Sequence, residues 1–440
     1  MAKMRRILWI AALGLGLLVV LWLATADPLV VTALWHTAEY RLIRWGNALW
    51  GDPLAKSYPS GGLSGLVSDE SGCPVVGATV LVASPRGDTF VTESDSTGRY
   101  HLDDLPPGFY RPVAARRGYA DTLYRAPLHL NAVLVRPGKE ITGVNLTLSA
   151  EDLSIPLFDI VELSPVEEAT HQEGDNLYRA ARRAYRLLHG KTVVGEGYVY
   201  EPVAGDEPWP VLLVILPGPV LEWEIVPVPL AQQGFVVMAV HPARRMDIEG
   251  EVDSMRAALA ALRAGQLSAR ADATRIGVLG GSFTSLHVYR LLQQEDEINA
   301  ALVLGGVADG FLIRRQFEDG TLLPAYGFDK VLVGLGLPHR APQLYFHYSV
   351  RYHLEGLPPL CLIHGLADDF VPYSHSELLA EELAAQGIPH ELHLVPGLAH
   401  YFADEETELL LRITMDFFDK YLGGLVVSPI SVQLKRGCRE

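Results

Sequence analysis

Ser282 lies in the stretch ATRIGVLGGSFTSLHV, residues 273–288, where a short apolar run at 276–279 gives way to two glycines and then to a helical pattern. This predicts a strand, a tight turn and a helix. Residues 280 and 281 carry no side chain, so the backbone can fold sharply and hold the Ser282 hydroxyl above a sheet edge. Such a hydroxyl becomes a nucleophile if a base takes its proton and an acid holds that base in the right tautomer. Candidates for both follow later in the chain: an acid loop in LCLIHGLADDFVP, with Asp368, and a histidine loop in ELHLVPGLAHYF, with His400. The G-x-S-x-G pattern of nucleophile turns has Thr284 in its last place, and the extra atoms are expected to crowd the approach of the helix to the neighbouring strand. The five letters alone also fit a plain serine in a glycine-rich turn; the order of the two later loops favours the chemical reading.

Loops of this kind need a rigid frame, and the sequence supplies one. From residue 191 the apolar runs VVGEGYVY, VLLVILPG, FVVMAVHP, IGVLGGS, AALVLGG, LCLIHG and ELHLVPG alternate with helical patterns, the clearest at 251–263, 374–386 and 404–421. The alternation predicts an α/β fold with a mostly parallel sheet covered on both faces, its reactive loops gathered at the carboxyl ends of the strands. A developing oxyanion would need two backbone donors. One is the N–H of Phe283; the other falls in the turn LPGPV, 216–220, where Pro219 cannot donate and Gly218 or Val220 remains, with Val220 preferred just beyond the stiff Pro-Gly-Pro. Arg244 and Arg245 in HPARRMD follow a strand and could meet an acidic substrate group, or be ordinary exposed loop charge. The aromatic and histidine-rich segment 306–358 interrupts the strand–helix rhythm and could cap a pocket, form its own aromatic core, or both. His339, His347 and His353 lack a carboxylate at metal-site spacing, so no metal and no cofactor is expected.

Upstream of this region the character changes several times. Residues 1–26 place Lys3, Arg5 and Arg6 before an uncharged run at 7–26, long enough to cross a bilayer and longer than the roughly 7 to 15 residues of a signal core. A retained transmembrane anchor with the bulk of the chain outside the cytoplasm is therefore expected. Ala24-Thr25-Ala26 keeps open a removed signal and a secreted or periplasmic product, and inverted topology is a third possibility. In 27–59, residues Trp35, Ala38, Leu42, Trp45 and Leu49 fall on one helical face, suited to a membrane surface or to packing on the protein itself. Residues 60–149 read as a small β-sandwich of short strands and glycine turns, and 150–190 as a linker ending in an arginine-bearing docking helix, LYRAARRAYRLLHG. The domain of alternating strands and helices is placed at 191–424 and a tail at 425–440. A net charge of −16 with dispersed basic residues argues against nucleic acid as a partner. Cys73, Cys361 and Cys438 form neither a metal-ligand spacing nor a disulfide framework.

Two resemblances add to this reading. The segment GLVSDESGCPVVGATVLVAS with TESDSTGRYHLDDLPPGFYRPVAARRGYA, within about 61–148, resembles the carboxypeptidase regulatory-like, or transthyretin-like, domain family, which usually serves as an accessory module. DATRIGVLGGSF, LCLIHGLADDFVP and ELHLVPGLAHYF, within about 192–422, resemble the dienelactone hydrolase and prolyl oligopeptidase-type branch of the α/β-hydrolases. That resemblance implies Ser282 as nucleophile, His400 as base and, of the adjacent Asp368 and Asp369, Asp368 as the acid. Dienelactone hydrolases proper carry cysteine at the nucleophile, so the serine moves the chain towards esterase- or peptidase-like members. The expected function is a membrane-anchored serine hydrolase acting on an ester or small peptide; the alternative is a catalytically silent binding protein of the same fold at the cell surface.

Overall fold

The computed structural model describes residues 28–50, 58–125, 131–205, 208–242, 247–322, 328–401 and 404–423. They group into two units, one of residues up to 116 with 120–149 and 314–347, the other of 117–119, 150–313 and 348 onward. The expected membrane run 1–26 and the tail 425–440 lie outside the described residues, and among the described helices none is long and apolar enough to cross a membrane.

The first unit is rich in short strands: β1 (Gly61–Asp69), β2 (Thr79–Ala83), β3 (Thr89–Glu93), β4 (Arg99–Leu105), β5 (Gly108–Tyr110), β6 (Val113–Ala115), β7 (Thr122–Leu123), β8 (Val133–Val135), β9 (Glu140–Ile141) and β10 (Leu146–Leu148). One four-stranded sheet centres on β1, flanked by β4 and β10 with β9 alongside; the other runs β3-β2-β6-β7. Alternation decides which side chains turn inward, as in β4, where Tyr100, Leu102 and Leu105 are buried between exposed neighbours. Its turn is set by Asp95, whose carboxylate accepts from the Thr97 N–H and hydroxyl and from the Arg99 N–H. Helix α1 (Pro28–Trp50) also belongs to this unit.

The second unit is built on a ten-stranded sheet. Its strands are β11 (Ile160–Leu163), β12 (Glu167–Glu173), β13 (Asn176–His189), β14 (Thr192–Glu201), β15 (Trp209–Ile215), β16 (Val236–Val240), β17 (Ala271–Gly281), β18 (Ala300–Leu304), β19 (Leu360–Gly365) and β20 (His390–Val395), in the order β11-β13-β14-β16-β15-β17-β18-β19-β20 with β12 also on β13. From β16 to β20 every pairing is parallel, whereas β11 to β14 and the β14–β16 pairing are antiparallel. The parallel character expected for most of the sheet is thus confined to its six C-terminal strands. Strand β15 shows why both faces are covered: Val211, Leu213 and Ile215 enter one core with helices α3 (Ile248–Arg263), α4 (Ser285–Gln294) and α8 (Ser374–Ala385), while Leu212 and Val214 enter the other with α2 (Pro227–Gln232) and α9 (Asp404–Leu422).

One expectation fails outright. Residues 176–189, read as a docking helix, form the 14-residue strand β13, and 150–190 contributes three strands to the main sheet in place of a linker. Alanine, leucine and arginine favour a helix locally, but here each arginine stands among glutamates of adjacent strands: Arg179 reaches Glu168 at 3.0 Å, Arg182 reaches Glu167 at 2.6 Å and Arg186 reaches Glu162 at 3.2 Å. Tyr178 and Ala180, then Tyr185 and Leu187, are buried at intervals of two, the period of a strand.

The interrupting segment contains α5 (Gly310–Glu318), α6 (Phe328–Gly334) and α7 (Pro342–His347). Its residues 314–347 group with the first unit. They hold an aromatic interior of their own: Tyr345 and Phe346 are buried, and the Tyr345 hydroxyl donates to the Gly336 carbonyl at 2.6 Å. His347 Nδ1 lies 2.8 Å from Asp121, a partner 226 residues away in the chain.

Candidate active site

Strand β17 ends at Gly281, and Ser282 opens a short 3-10 turn, Ser282–Thr284, that leads into α4. The turn is sharp enough that Ser282 takes φ +50°, one of two described non-glycine residues in the left-handed region, a conformation that costs an L side chain on the order of 1–3 kcal/mol and is held by its surroundings. Gly281 permits the close approach of the next strand, because a Cβ there would stand 2.3 Å from the Leu304 carbonyl oxygen. The Ser285 hydroxyl donates to the Ser282 carbonyl at 2.6 Å and accepts from the Val307 N–H at 3.0 Å, tying the turn to the end of β18.

The three sequence candidates converge. Ser282 Oγ lies 2.8 Å from His400 Nε2, and His400 Nδ1 lies 2.8 Å from Asp368 Oδ2. Because Asp368 can only accept when ionised, Nδ1 carries the imidazole proton and Nε2 accepts from the Ser282 hydroxyl. Burial opposes the Asp368 charge, but hydrogen bonds from His364, His400 and the Val371 N–H outweigh it and hold the carboxyl well below the usual carboxylate range. Its second oxygen accepts from the N–H groups of Phe370 and Val371, both at 2.9 Å. Asp369 is exposed.

Several supporting residues escaped the sequence reading. His364 is fully buried; its Nε2 donates to the Val371 carbonyl at 2.8 Å and lies 3.4 Å from Asp368 Oδ2, while Nδ1 is 2.7 Å from the Ser376 hydroxyl. That arrangement fixes the loop from 368 to 371 against the start of α8. Phe370 stacks on the His400 ring with centroids 5.0 Å apart. Gly305, at φ +57°, leaves the space in which Asp368 and His400 meet, since a Cβ there would stand 3.2 Å from Asp368 Oδ2. The signals available were His364 four residues before Asp368 and a Gly-Gly pair just after an apolar run, neither of which specifies a partner.

Thr284 corrects an expectation. Far from crowding the helix approach, it is fully buried and joins the turn to the neighbouring strand: its hydroxyl lies 2.9 Å from the carbonyls of Ile215 and Gly281 and accepts from the Gly281 N–H at 2.9 Å. Ile215 ends β15, so Thr284 fastens the nucleophile turn to the strand that leads into residues 216–220. In that segment Val220 is buried and begins the turn Val220–Glu222, and Gly218 faces the Trp223 indole, which a Cβ would meet at 2.9 Å. Phe283 directly follows Ser282 in its turn. Arg244 and Arg245 lie outside the described residues.

Among the described residues Cys361, Glu391 and His393 bring potential metal-ligand atoms within 4.8 Å of one another. The Lys420 ammonium donates to Glu391 at 2.7 Å, and burial, then the Glu391 charge, pushes the Cys361 thiol up to about 12.

A mixed sheet with helices on both faces, a serine on a strained turn at the end of a central parallel strand, and a carboxylate and a histidine from the loops after β19 and β20 define an α/β-hydrolase of the serine hydrolase class. Residues 249–425 match the prolyl oligopeptidase family, and residues 62–149 match the carboxypeptidase regulatory-like domain. The chain is 22% identical over 154 residues to inactive dipeptidyl peptidase 10 of Rattus norvegicus, a match that spans 34% of this chain and only 18% of that protein. It is 25% identical over 205 residues to the uncharacterized peptidase YtmA of Bacillus subtilis (strain 168), spanning 45% of this chain and 75% of the relative. A solved puromycin-hydrolyzing peptidase of Mycobacterium tuberculosis aligns over 81% of this chain and 69% of its own, at 19% identity and a TM-score of 0.43.

Proposed function

We propose that the chain is a membrane-anchored hydrolase that cleaves an ester or small peptide bond outside the cytoplasm through an acyl-enzyme on Ser282. The observation that carries the reading is the continuous hydrogen-bond path from Ser282 through His400 to Asp368, at 2.8 Å in both steps, with Ser282 in a left-handed turn. In the first half-reaction Ser282 Oγ bonds to the substrate carbonyl carbon as its proton passes to His400 Nε2. The imidazolium so formed is stabilised by the Asp368 carboxylate. The negative charge gathering on the carbonyl oxygen is met by the Phe283 N–H and by an N–H from Val220 or Gly218. Collapse breaks the bond to the leaving alcohol or amine, which takes the proton from His400. Water, deprotonated by the same ring, then attacks the acyl carbon and releases Ser282. Arg244 and Arg245, which follow β16 in sequence, would pair with an acidic group on the substrate.

Anchoring is supported by the uncharged run at 7–26 behind Lys3, Arg5 and Arg6. The test is turnover by the full chain of p-nitrophenyl butyrate and of a dipeptidyl p-nitroanilide. Hydrolysis of at least one is expected, and it should vanish in Ser282→Ala. Turnover that is absent for both, or that survives in Ser282→Ala, contradicts the reading and leaves the silent binding protein in its place.

A further inference from the structure

Helix α1 has two faces of different kinds. One is held by residues 314–347 of the same unit: the His36 imidazole donates to the Gly334 carbonyl at 2.9 Å, the Tyr40 hydroxyl donates to Glu318 at 3.4 Å, and the Arg314 guanidinium lies 5.0 Å from the centre of the Tyr40 ring. Gly336 makes room for this contact, since a Cβ there would meet the His36 ring at 2.8 Å. At about 100° per residue, the opposite arc of the helix carries Leu34, Trp35, Leu42, Trp45 and Leu49. These five large apolar side chains are 51, 68, 66, 62 and 55% exposed. Arg41 and Arg44 lie to one side of the arc, Arg44 reaching Glu318 at 3.4 Å.

We infer that this arc lies in the headgroup–acyl boundary of a lipid bilayer, with α1 in the membrane plane and its other face carrying residues 314–347. The inference rests on the proposal that residues 7–26 are retained in the membrane. Three observations select lipid as the occupant. The uncharged run ends at residue 26, and Pro28 opens α1 almost at once, so the helix begins at the bilayer surface, where proline at the first position favours a fresh start over continuation. Tryptophan is the side chain suited to that boundary, its ring apolar and its N–H able to reach water, and two of the five are tryptophan. Arginines beside the apolar arc place cations at headgroup level. The face suited to protein contact is already engaged by 314–347.

The test uses the full chain in nanodiscs of phosphatidylcholine and phosphatidylglycerol, in a Cys73→Ser/Cys438→Ser background, with a nitroxide attached in turn to Leu17→Cys, Leu42→Cys, Leu49→Cys and Glu70→Cys. Relaxation by oxygen reports lipid and relaxation by a water-soluble nickel chelate reports solvent. The labels at 42 and 49 should show an oxygen-to-nickel ratio severalfold above that at 70, with the label at 17, mid-span, deeper still. A label at 17 in lipid with those at 42 and 49 as wet as 70 overturns the inference while the anchor stands. Labels at 42 and 49 closed to both reagents mean a second copy or another part of this chain covers the arc, which also overturns it. A label at 17 in water removes the anchor and the inference together.

Discussion

The Thr284 hydroxyl has one hydrogen and two carbonyls at 2.9 Å, and it accepts from the Gly281 N–H in return, so losing it removes the side-chain tie between the nucleophile turn and β15. Thr284→Val keeps the shape and removes the bonds; it should cost about 1–3 kcal/mol of stability and slow acylation of Ser282, while Thr284→Ser restores both. Thr284→Gly should also be destabilised, and a glycine variant with undiminished urea resistance and activity would reinstate the crowding expected from the motif. The tie was illegible in the sequence because its partner, Ile215, is 69 residues away. With Thr284 accounted for, its departure from the G-x-S-x-G pattern no longer speaks for a silent protein. The adjacent carboxylates should separate cleanly. Asp368→Asn leaves His400 facing an amide that can impose the wrong tautomer, and turnover should fall by up to roughly ten-thousand-fold, whereas exposed Asp369→Asn should cost little. Steady-state rates of the two variants, with folding checked by circular dichroism, decide between them.

At the scale of elements, the strands that carry the site were readable because each is a short apolar run bounded by turn residues, and their signal is local. β13 was not, because its helix-favouring composition is overruled by partners on β11, β12 and β14 that local reading does not see. Arg182 shows what holds it. It bridges Glu167 and Glu224, each at 2.6 Å, and Glu224 also accepts from the Tyr200 hydroxyl at 2.9 Å. The Glu167 side is exposed and contributes little, while the Glu224 side is mostly buried. Arg182→Ala should therefore destabilise by about 1–3 kcal/mol through the Glu224 contact, and Glu167→Gln should be nearly neutral. Urea unfolding of the two variants checks the asymmetry.

Across the whole molecule, buried histidines kept neutral should weaken the fold in acid: His287 and His375 lie in the hydrolase unit, and His339, pushed down to about 4 by burial and then the Arg111 charge, lies in the first. Burial pushes His287 down to about 4, and burial followed by the His364 and Arg351 charges pushes His375 down to about 3. Between pH 6.5 and those values the unfolded chain binds protons that the folded chain refuses, so stability falls as pH falls, each group adding a slope of up to about 1.4 kcal/mol per pH unit. Asp368 acts in a different window: its depressed carboxyl stabilises the fold above the ordinary carboxylate range and is lost only below it. The urea midpoint should thus hold steady from pH 8 to 6.5 and drop towards pH 5, less steeply in His287→Gln; a flat profile down to pH 5 would mean these rings accept protons in place.

The most direct test of the chemistry is labelling of the full chain with a fluorophosphonate, followed by peptide mapping. The phosphonyl group should be found on Ser282, formed at a rate that drops steeply in His400→Ala and in Asp368→Asn. A label on another serine, or a folded protein that takes none, would contradict the assignment of Ser282, His400 and Asp368 as the reacting set.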